Sequence, residues 1–455
     1  MNENTDHRLK FGVLFLGRKR PGFDPEWGKT VQTAIRGFLE SNHYECVIPS
    51  GNIADDAVLR EAVAACRQAG AQTLVVTQPT VSDGRLAPVL AQLWQAPLIF
   101  WATTEKQTGE MISSNSLVGT HIFASLFRQF GHPFELVYGH PEDDQTKGQL
   151  DLALALVAAA VRLKNAKVGL IGQHAPGFIN LAVDPDLLCT ALGVQLHHIS
   201  LHEFLPVLEL FSEEEVTSDV AAFRKLGIPL KDVEPEDLGT ASRFYLAFKR
   251  VMADEHLDAL ATRCWPEIPN ITGQWPYVAI SRMLSQQIAI TQEGDVDAAV
   301  LALAARVLGM GPVYMSDWLE HDTSTIAIWH TGSVPLELCE PIGSERGPRV
   351  AKHFNIHKPA VIEATLKENL PITLFRLWSC DGQYRLTALE GRTIAPKRHL
   401  LGNNGVAEIE GVNVMEWFDE MIHEGLPHHV LIARGHHRVT LRRFARQVGI
   451  SWIDS

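Results

Sequence analysis

Several signatures that would assign a function outright are missing from this chain. Its six cysteines (Cys46, Cys66, Cys189, Cys264, Cys339, Cys380) form no Cys-x-x-Cys pair. Neither a zinc knuckle nor a disulfide framework is indicated, and a reduced, cytoplasmic setting is expected. There is no Gly-x-Gly-x-x-Gly and no Walker lysine, so a nucleotide fingerprint is absent. No Gly-x-Ser-x-Gly surrounds a plausible nucleophile. The longest apolar run, Leu152 to Val161, is too short to span a bilayer. The opening Met1-Asn2-Glu3-Asn4 is polar and acidic and reads as lacking a signal peptide. Positive charge is in deficit: the formal net charge is −13 with neutral histidine. That argues against non-specific nucleic-acid binding and says nothing about the fold.

What remains is ordinary globular material. With 46% hydrophobic and 20% charged residues over 455 positions, two or three domains are expected. The first third alternates strand and helix. Phe11 to Leu16 is an apolar run ending at Gly17, followed by a helical pattern from Trp27 to Leu39. Tyr44 to Ile48, Thr73 to Thr77 and Pro97 to Trp101 read as strands, and Ala54 to Ala69 and Ala87 to Trp94 as helices. A second cycle begins with a helix at Gln149 to Leu163 and a strand at Lys167 to Gly172. It continues through Asp186 to Leu192, Val194 to Ile199, Ala241 to Asp254 and Leu257 to Arg263. This rhythm predicts doubly wound parallel sheets.

Past about Pro335 the pattern changes. Pro371 to Trp378 and Tyr384 to Glu390, separated by Ser379-Cys-Asp-Gly-Gln383, predict an antiparallel hairpin. Glu408 to Val414 reads as another short strand pair. A helix (Met415 to Ile422), a strand (His429 to Ala433), a helix (Val439 to Val448) and a strand (Ile450 to Ile453) close the chain. The expected class is α/β: two parallel-sheet layers, 1–165 and 166–335, then a mixed domain, 336–455, with an antiparallel barrel or sandwich.

Chemistry-bearing residues gather in the second half. Glu293 stands directly before an alanine-rich helix, with Asp295 and Asp297 in its first turn, where the helix dipole favours negative charge. Asp317 ends an apolar strand, His330 follows Ile326 to Trp329, and His428-His429 follows Gly425-Leu-Pro427. Each has a plainer local reading as a cap, a turn or a hydrogen-bonded structural residue. If Glu293, Asp317, His330 and His429 converge, two carboxylates and two imidazoles form a divalent-metal site suited to Mn²⁺, with Co²⁺ or Mg²⁺ as alternatives. Neighbouring strand residues point to opposite faces, so one histidine of each pair, His428-His429 or His436-His437, is expected to reach a given site. Arg18, Lys19 and Arg20 follow the first strand. They read either as a solvated loop or as an anion contact at a sheet edge. Gln274, Trp275 and Trp101 are further candidate ligand contacts in or near strand-end loops.

On four segments the chain resembles the L-fucose isomerase / L-arabinose isomerase family of ketol isomerases. These are Ile171-Gly-Gln-His-Ala-Pro-Gly-Phe178, Arg263-Cys-Trp-Pro-Glu267, Glu293-Gly-Asp295 before its helix, and Gly425-Leu-Pro-His-His429 with Phe444-Ala445 and Ile453-Asp454 beyond it. The resemblance implies that Glu293 and Asp317 are metal ligands and the acid/base pair, that His429 is a ligand, and that His330 is a fourth as in the arabinose branch. The gap between the two carboxylates is similar to the fucose branch. Met315-Ser316-Asp317 departs from the Met-Glu-Asp of the arabinose branch, and Asp317 rather than Ser316 takes the role.

The implied activity is metal-dependent aldose–ketose isomerisation of a monosaccharide through a cis-ene-diolate. The sugar is either anionic (sulfonated) or a neutral deoxyhexose or pentose. Arg18, Arg20, Trp265, Gln274 and Trp275 are its expected contacts. The implied assembly is a homo-trimer or homo-hexamer, with no nucleic-acid or membrane partner. Two competing readings are a non-catalytic sugar sensor on paired α/β domains and a metal-dependent hydrolase or aldolase.

Overall fold

The computed structural model describes residues 9–19 and 23–454. The chain divides into two compact units: Met1–Arg162 with Arg446–Gly449, and Leu163–Ala445 with Ile450–Ser455. The first holds a five-stranded parallel sheet. Its strands are β1 (Phe11–Phe15), β2 (Cys46–Val47), β3 (Thr73–Thr77), β4 (Leu98–Ala102) and β5 (Phe134–Tyr138), in the order β2-β1-β3-β4-β5. β1 shows why its sequence is apolar throughout. Phe11, Val13 and Phe15 pack on one face with Val31, Ile35 and Leu39 of helix Pro25–Ser41. Leu14 and Leu16 pack on the other with Leu59 and Val63 of helix Asp56–Gln68. A strand covered on both faces has no solvent side to pattern as polar.

The second unit begins with a four-stranded parallel sheet, β6 (Lys167–Ile171), β7 (Gln195–Ile199), β8 (Ala259–Thr262) and β9 (Ile290–Thr291), ordered β7-β6-β8-β9. Helix Val296–Val307 follows, buried along nearly all of its length. Then come β10 (Val313–His321), β11 (Thr325–His330), β12 (Arg349–Ala351), β13 (Val361–Thr365), β14 (Pro371–Cys380), β15 (Gln383–Ile394), β16 (Asn403–Ile409), β17 (His429–Arg434) and β18 (Ser451–Trp452). Antiparallel pairing runs β16-β11-β10-β17-β14-β15, and β15 pairs back onto β16. Six strands therefore close into a barrel, from which β13 and β12 extend beside β16 and β18 beside β15. The fold class is the expected α/β arrangement followed by an antiparallel barrel.

The expected hairpin is the β14–β15 pair, with Cys380 opposite Gln383. Asp381 (φ 52°) and Gly382 (φ 71°) are both left-handed, as a two-residue turn of that hand requires. Three expectations change. β10 and β11 lie before residue 335 yet are barrel strands, because β11 must pair with β16 and β10 with β17 to close it. Asp317 lies inside β10 rather than at its end. Val412 to Val414 forms no strand: the Asn413 side chain accepts the Met415 amide and starts helix Val414–His423 instead. No helix among the described residues is long and apolar enough to cross a membrane.

Candidate active site

The site lies in the second unit, where loops after β6, β8 and β9 meet the barrel strands β10, β11, β14 and β17. Glu293 sits just past β9 at φ 59°, a left-handed conformation that costs a side-chain-bearing residue energy. Gly294 follows at φ 72°, and a Cβ there would come within 2.4 Å of the Gln173 carbonyl oxygen. Only glycine allows that close approach. The Ala175 amide donates to the Glu293 carbonyl at 2.8 Å, and the Gly294 amide to the Thr262 carbonyl at 3.0 Å. Asp295 then caps helix Val296–Val307 through the Ala298 amide at 2.9 Å.

All four expected metal residues come together. The Glu293 carboxylate is 4% exposed. Its Oε1 accepts the Trp265 indole N–H at 2.7 Å, and its Oε2 lies 2.9 Å from His429 Nε2 and 3.8 Å from His330 Nε2. Asp317 stands opposite His429 in the β10–β17 ladder, with Oδ1 3.6 Å from His429 Nε2. It is the open member of the set, its side chain 30% exposed. Glu293, His330 and His429 offer ligand atoms within 4.8 Å of one another, as do Asp317, His428 and His429. His330 Nε2 is buried and, among the described residues, has no hydrogen-bond partner. An orphaned imidazole nitrogen facing a buried carboxylate fits a cation-binding role.

Charge locks the cluster. Burial disfavours the Glu293 anion, but His330 and His429 alongside outweigh it and hold the carboxyl below its usual range. His429 is fully buried, which opposes its cation. Hydrogen bonds to Asp295 and Glu293 prevail and push it up to about 9. Its Nδ1 faces Asp295 Oδ2 at 2.8 Å. Asp295 is in turn forked by Arg376 of β14, Nη1 to Oδ2 at 2.6 Å and Nη2 to Oδ1 at 3.1 Å. Burial works against the Asp295 anion, but the Arg376 charge and then His429 keep its carboxyl well below the ordinary range. Behind this pair, burial pushes the Asp297 carboxyl up to about 7, and Tyr384 donates to it at 2.9 Å.

The expectation for the adjacent histidines is corrected. His428 precedes β17 and does not follow its alternation, so its ring lies 4.2 Å from that of His429 and both belong to the same pocket. His428 Nδ1 pairs with the Asn180 amide at 3.1 Å. Burial, and then the neighbouring His429, push His428 down to about 4. Phe178 packs edge-on against Trp265, His428 and His429 and forms an apolar wall. His436 and His437 turn to backbone carbonyls, at Gly391 and Arg434, away from the cluster.

The expected sugar contacts separate. Trp265 is at the site. Gln274 is 3% exposed and its amide is engaged by the Asp237 carbonyl at 3.0 Å. Trp275 is 5% exposed and stacks on His353 at 4.1 Å. Trp101 is a core residue of the first unit, its indole N–H bound to the Gly139 carbonyl. All three are packed in the protein interior. Arg18 lines a cleft of about 790 Å³ in the first unit with Lys19, Asp55, Asp83 and Arg85. Arg20 lies outside the described residues. Cys264 is fully buried beside Tyr277, and burial pushes its thiol up to about 12, so it is inert as a nucleophile.

Sequence reasoning missed the Arg376–Asp295 pair. Asp295 reads locally as a helix cap, which it also is. The available signal was Arg376 itself, a lone charge in the apolar run Leu374-Phe-Arg-Leu-Trp378.

No family model matches the chain. The sulfoquinovose isomerase of Priestia megaterium is 24% identical to it over 424 residues, 92% of this chain and 94% of that one. The sulfoquinovose isomerase of Alkalicoccus urumqiensis is 25% identical over 370 residues, 79% of this chain and 81% of that one. The L-arabinose isomerase of Aeromonas hydrophila is 22% identical over 333 residues, 69% of this chain and 65% of that one. Taken with the fold and the buried carboxylate–imidazole cluster, these relatives make the chain an enzyme, an aldose–ketose isomerase. They support a likeness to the L-fucose/L-arabinose isomerase-like family.

Proposed function

We propose that the chain is a divalent-metal-dependent aldose–ketose isomerase working through a cis-ene-diolate, with an anionic sugar of the sulfoquinovose type as substrate. The observation that carries this reading is the grouping of Glu293, His330 and His429, with Asp317 beside His429 and with His330 Nε2 unpartnered among the described residues. The donor set of hard carboxylate oxygens and imidazole nitrogens fits Mn²⁺, with Co²⁺ or Mg²⁺ as alternatives. Held by those four side chains, the cation would supply Lewis-acid polarisation of the carbonyl and stabilise negative charge on the sugar oxygens.

The remaining chemistry belongs to the protein. The proton on C2 of the open-chain aldose passes to a carboxylate, the O2 hydroxyl proton is transferred to O1, and a proton returns to C1 to give the ketose. Glu293 and Asp317 are the acid/base pair. The Trp265 N–H ties down Glu293 Oε1, so Oε2 is the oxygen turned to the cluster. Asp317, the more open carboxylate, faces incoming sugar. Phe178 and Trp265 shed water from the pocket, which strengthens each charge interaction there. The curated relatives named for sulfoquinovose, an anionic sugar, support the choice of substrate class, and Arg18 is the proposed contact for its sulfonate. A cytoplasmic setting and assembly as a homo-trimer or homo-hexamer complete the reading.

The test is to incubate Mn²⁺-loaded protein with sulfoquinovose, L-fucose and L-arabinose in D₂O and follow deuterium incorporation at C2. Exchange and ketose formation on sulfoquinovose are expected. No exchange on any aldose would sink the isomerase reading, and exchange on neutral sugars alone would sink the anionic one.

A further inference from the structure

Arg376 is 1% exposed and comes from the middle of barrel strand β14. Burying a guanidinium is costly unless a matched partner accompanies it. Its partner, Asp295, is equally buried and performs three tasks. It accepts both prongs of the Arg376 fork, it caps helix Val296–Val307, and it faces His429 Nδ1. A carboxylate at Nδ1 draws the imidazole proton to that nitrogen. Nε2 is then the nitrogen left for the pocket, where it lies near Glu293 and Asp317.

Asp295 could not hold His429 this way with its own charge uncompensated. Glu293, Asp295 and Asp317 would together place three negative charges in one cluster. Arg376 cancels that of Asp295 and leaves two, which match a divalent ion. The fork also fixes the Asp295 carboxylate plane, because both terminal guanidinium nitrogens, Nη1 and Nη2, and both carboxylate oxygens are used.

We propose that Arg376 is a positioning residue for the isomerase: through Asp295 it holds His429 with Nδ1–H turned to the protein and Nε2 turned to the pocket. The barrel, through β14, thereby orients a ligand that β17 supplies. This rests on the cluster being the cation site proposed above.

Arg376→Met alone would strand a buried carboxylate, so the main variant is Arg376→Met with Asp295→Asn. The asparagine keeps an acceptor for the Ala298 amide, and the double variant is expected to retain the wild-type circular dichroism and a cooperative melt. Its Zn²⁺ and Mn²⁺ dissociation constants should rise 10- to 100-fold. Its kcat should fall similarly, while KM for the aldose at saturating metal stays unchanged. In ¹⁵N spectra of the Zn²⁺-loaded protein, the wild type should show the His429 proton on Nδ1 and the metal on Nε2, and the double variant should lose that fixed assignment. Arg376→Lys should recover part of the affinity.

A folded double variant with wild-type metal affinity and wild-type His429 spectra would overturn the proposal. Should the double variant not fold, Arg376→Lys decides: an unchanged metal affinity there would overturn it equally. If wild-type protein binds neither ion, the functional reading fails by itself. The same spectra on metal-free protein then test the positioning role, with a proton on His429 Nδ1 in the wild type supporting it and an unprotonated Nδ1 opposing it.

Discussion

At the C-terminal ends of β1, β2 and β3 the loops carry Arg18, Lys19, Asp55, Asp83 and Arg85. At the corresponding ends of β6, β8 and β9 they carry Phe178, Trp265 and Glu293. Both are places where parallel sheets put ligands, yet charge is handled in opposite ways. In the first unit Lys19 pairs with Asp55 at 3.0 Å and Arg85 with Asp83, all near solvent, where such pairs contribute little. In the second unit Glu293, Asp295, Arg376 and His429 are dry, and each holds a partner whose removal would leave a buried charge. An exposed cleft can tolerate substitution. A buried cluster trades that tolerance for fixed geometry, and fixed geometry is what proton transfer requires.

The largest expected effect follows from that contrast. Glu293→Gln should keep the fold, since the amide oxygen can still accept the Trp265 N–H, yet kcat should fall by about 10²–10⁴ because an amide cannot take the proton. The check is C2 exchange in D₂O beside a thermal melt. Near-wild-type exchange would remove Glu293 from the chemistry and with it the distinction between the two sheet edges.

Metal binding in the buried cluster should also depend steeply on pH, whereas ligand binding in the exposed cleft should not. In the metal-free protein His429 is pushed up to about 9, above its ordinary 6.5. Its cation therefore favours folding fully below about 6.5, and that contribution is lost as the pH rises through 9. A cation at Nε2 must displace the same proton. Apparent affinity should thus rise with pH by about tenfold per unit up to 9, with close to one proton released per ion. Calorimetry in buffers of different ionisation enthalpy reads both quantities. An affinity that is flat from pH 6 to 9 would show that His429 is already neutral.

These regions were not equally legible in the sequence. The hairpin at Asp381-Gly382 was, because its turn chemistry is local. Glu293, Asp317, His330 and His429 were legible as candidates, because each stands in sequence at the border of an expected strand or helix. The Arg376–Asp295 pair joins residues 81 positions apart, and neither partner's local pattern names the other. Helix Ser116–Gln129 escaped for a local reason: Asn115, at φ 54°, makes no side-chain cap, so the usual start signal is missing. Gln274 and Trp275 read from sequence as residues in or near a strand-end loop, open to a ligand. The chain turns inward after Gly273 (φ 77°), and both become core.

A smaller effect separates buried from exposed acids. Burial pushes the Asp297 carboxyl up to about 7, above its ordinary 3.8. A carboxyl raised in this way stabilises the fold fully below about 3.8, and the contribution is lost as the pH rises through 7. Asp297→Asn keeps an acceptor for Tyr384 and removes the titration. It should stabilise the protein by about 1–3 kcal/mol at pH 8 and by less at pH 5. Thermal melts at the two pH values check this, and equal gains at both would place the raised carboxyl elsewhere.

The smallest effect on the molecule, and the one that most sharpens the contrast, is expected at Arg18. Among the described residues its Nε is buried without a hydrogen-bond partner, and its guanidinium lies 5.4 Å from the Phe23 ring centroid. Lys19 and Arg85 in the same cleft are already paired with aspartates. Arg18 is therefore the cation there best placed to meet a sulfonate, which a guanidinium can grip through two oxygens. Arg18→Ala should leave the melting temperature and the activity on neutral aldoses unchanged. It should raise KM for sulfoquinovose by about tenfold, the loss expected for one charge-assisted hydrogen bond. Equal effects on neutral and anionic sugars, or none, would return the first cleft to solvated surface and leave selection of the sugar to the buried site.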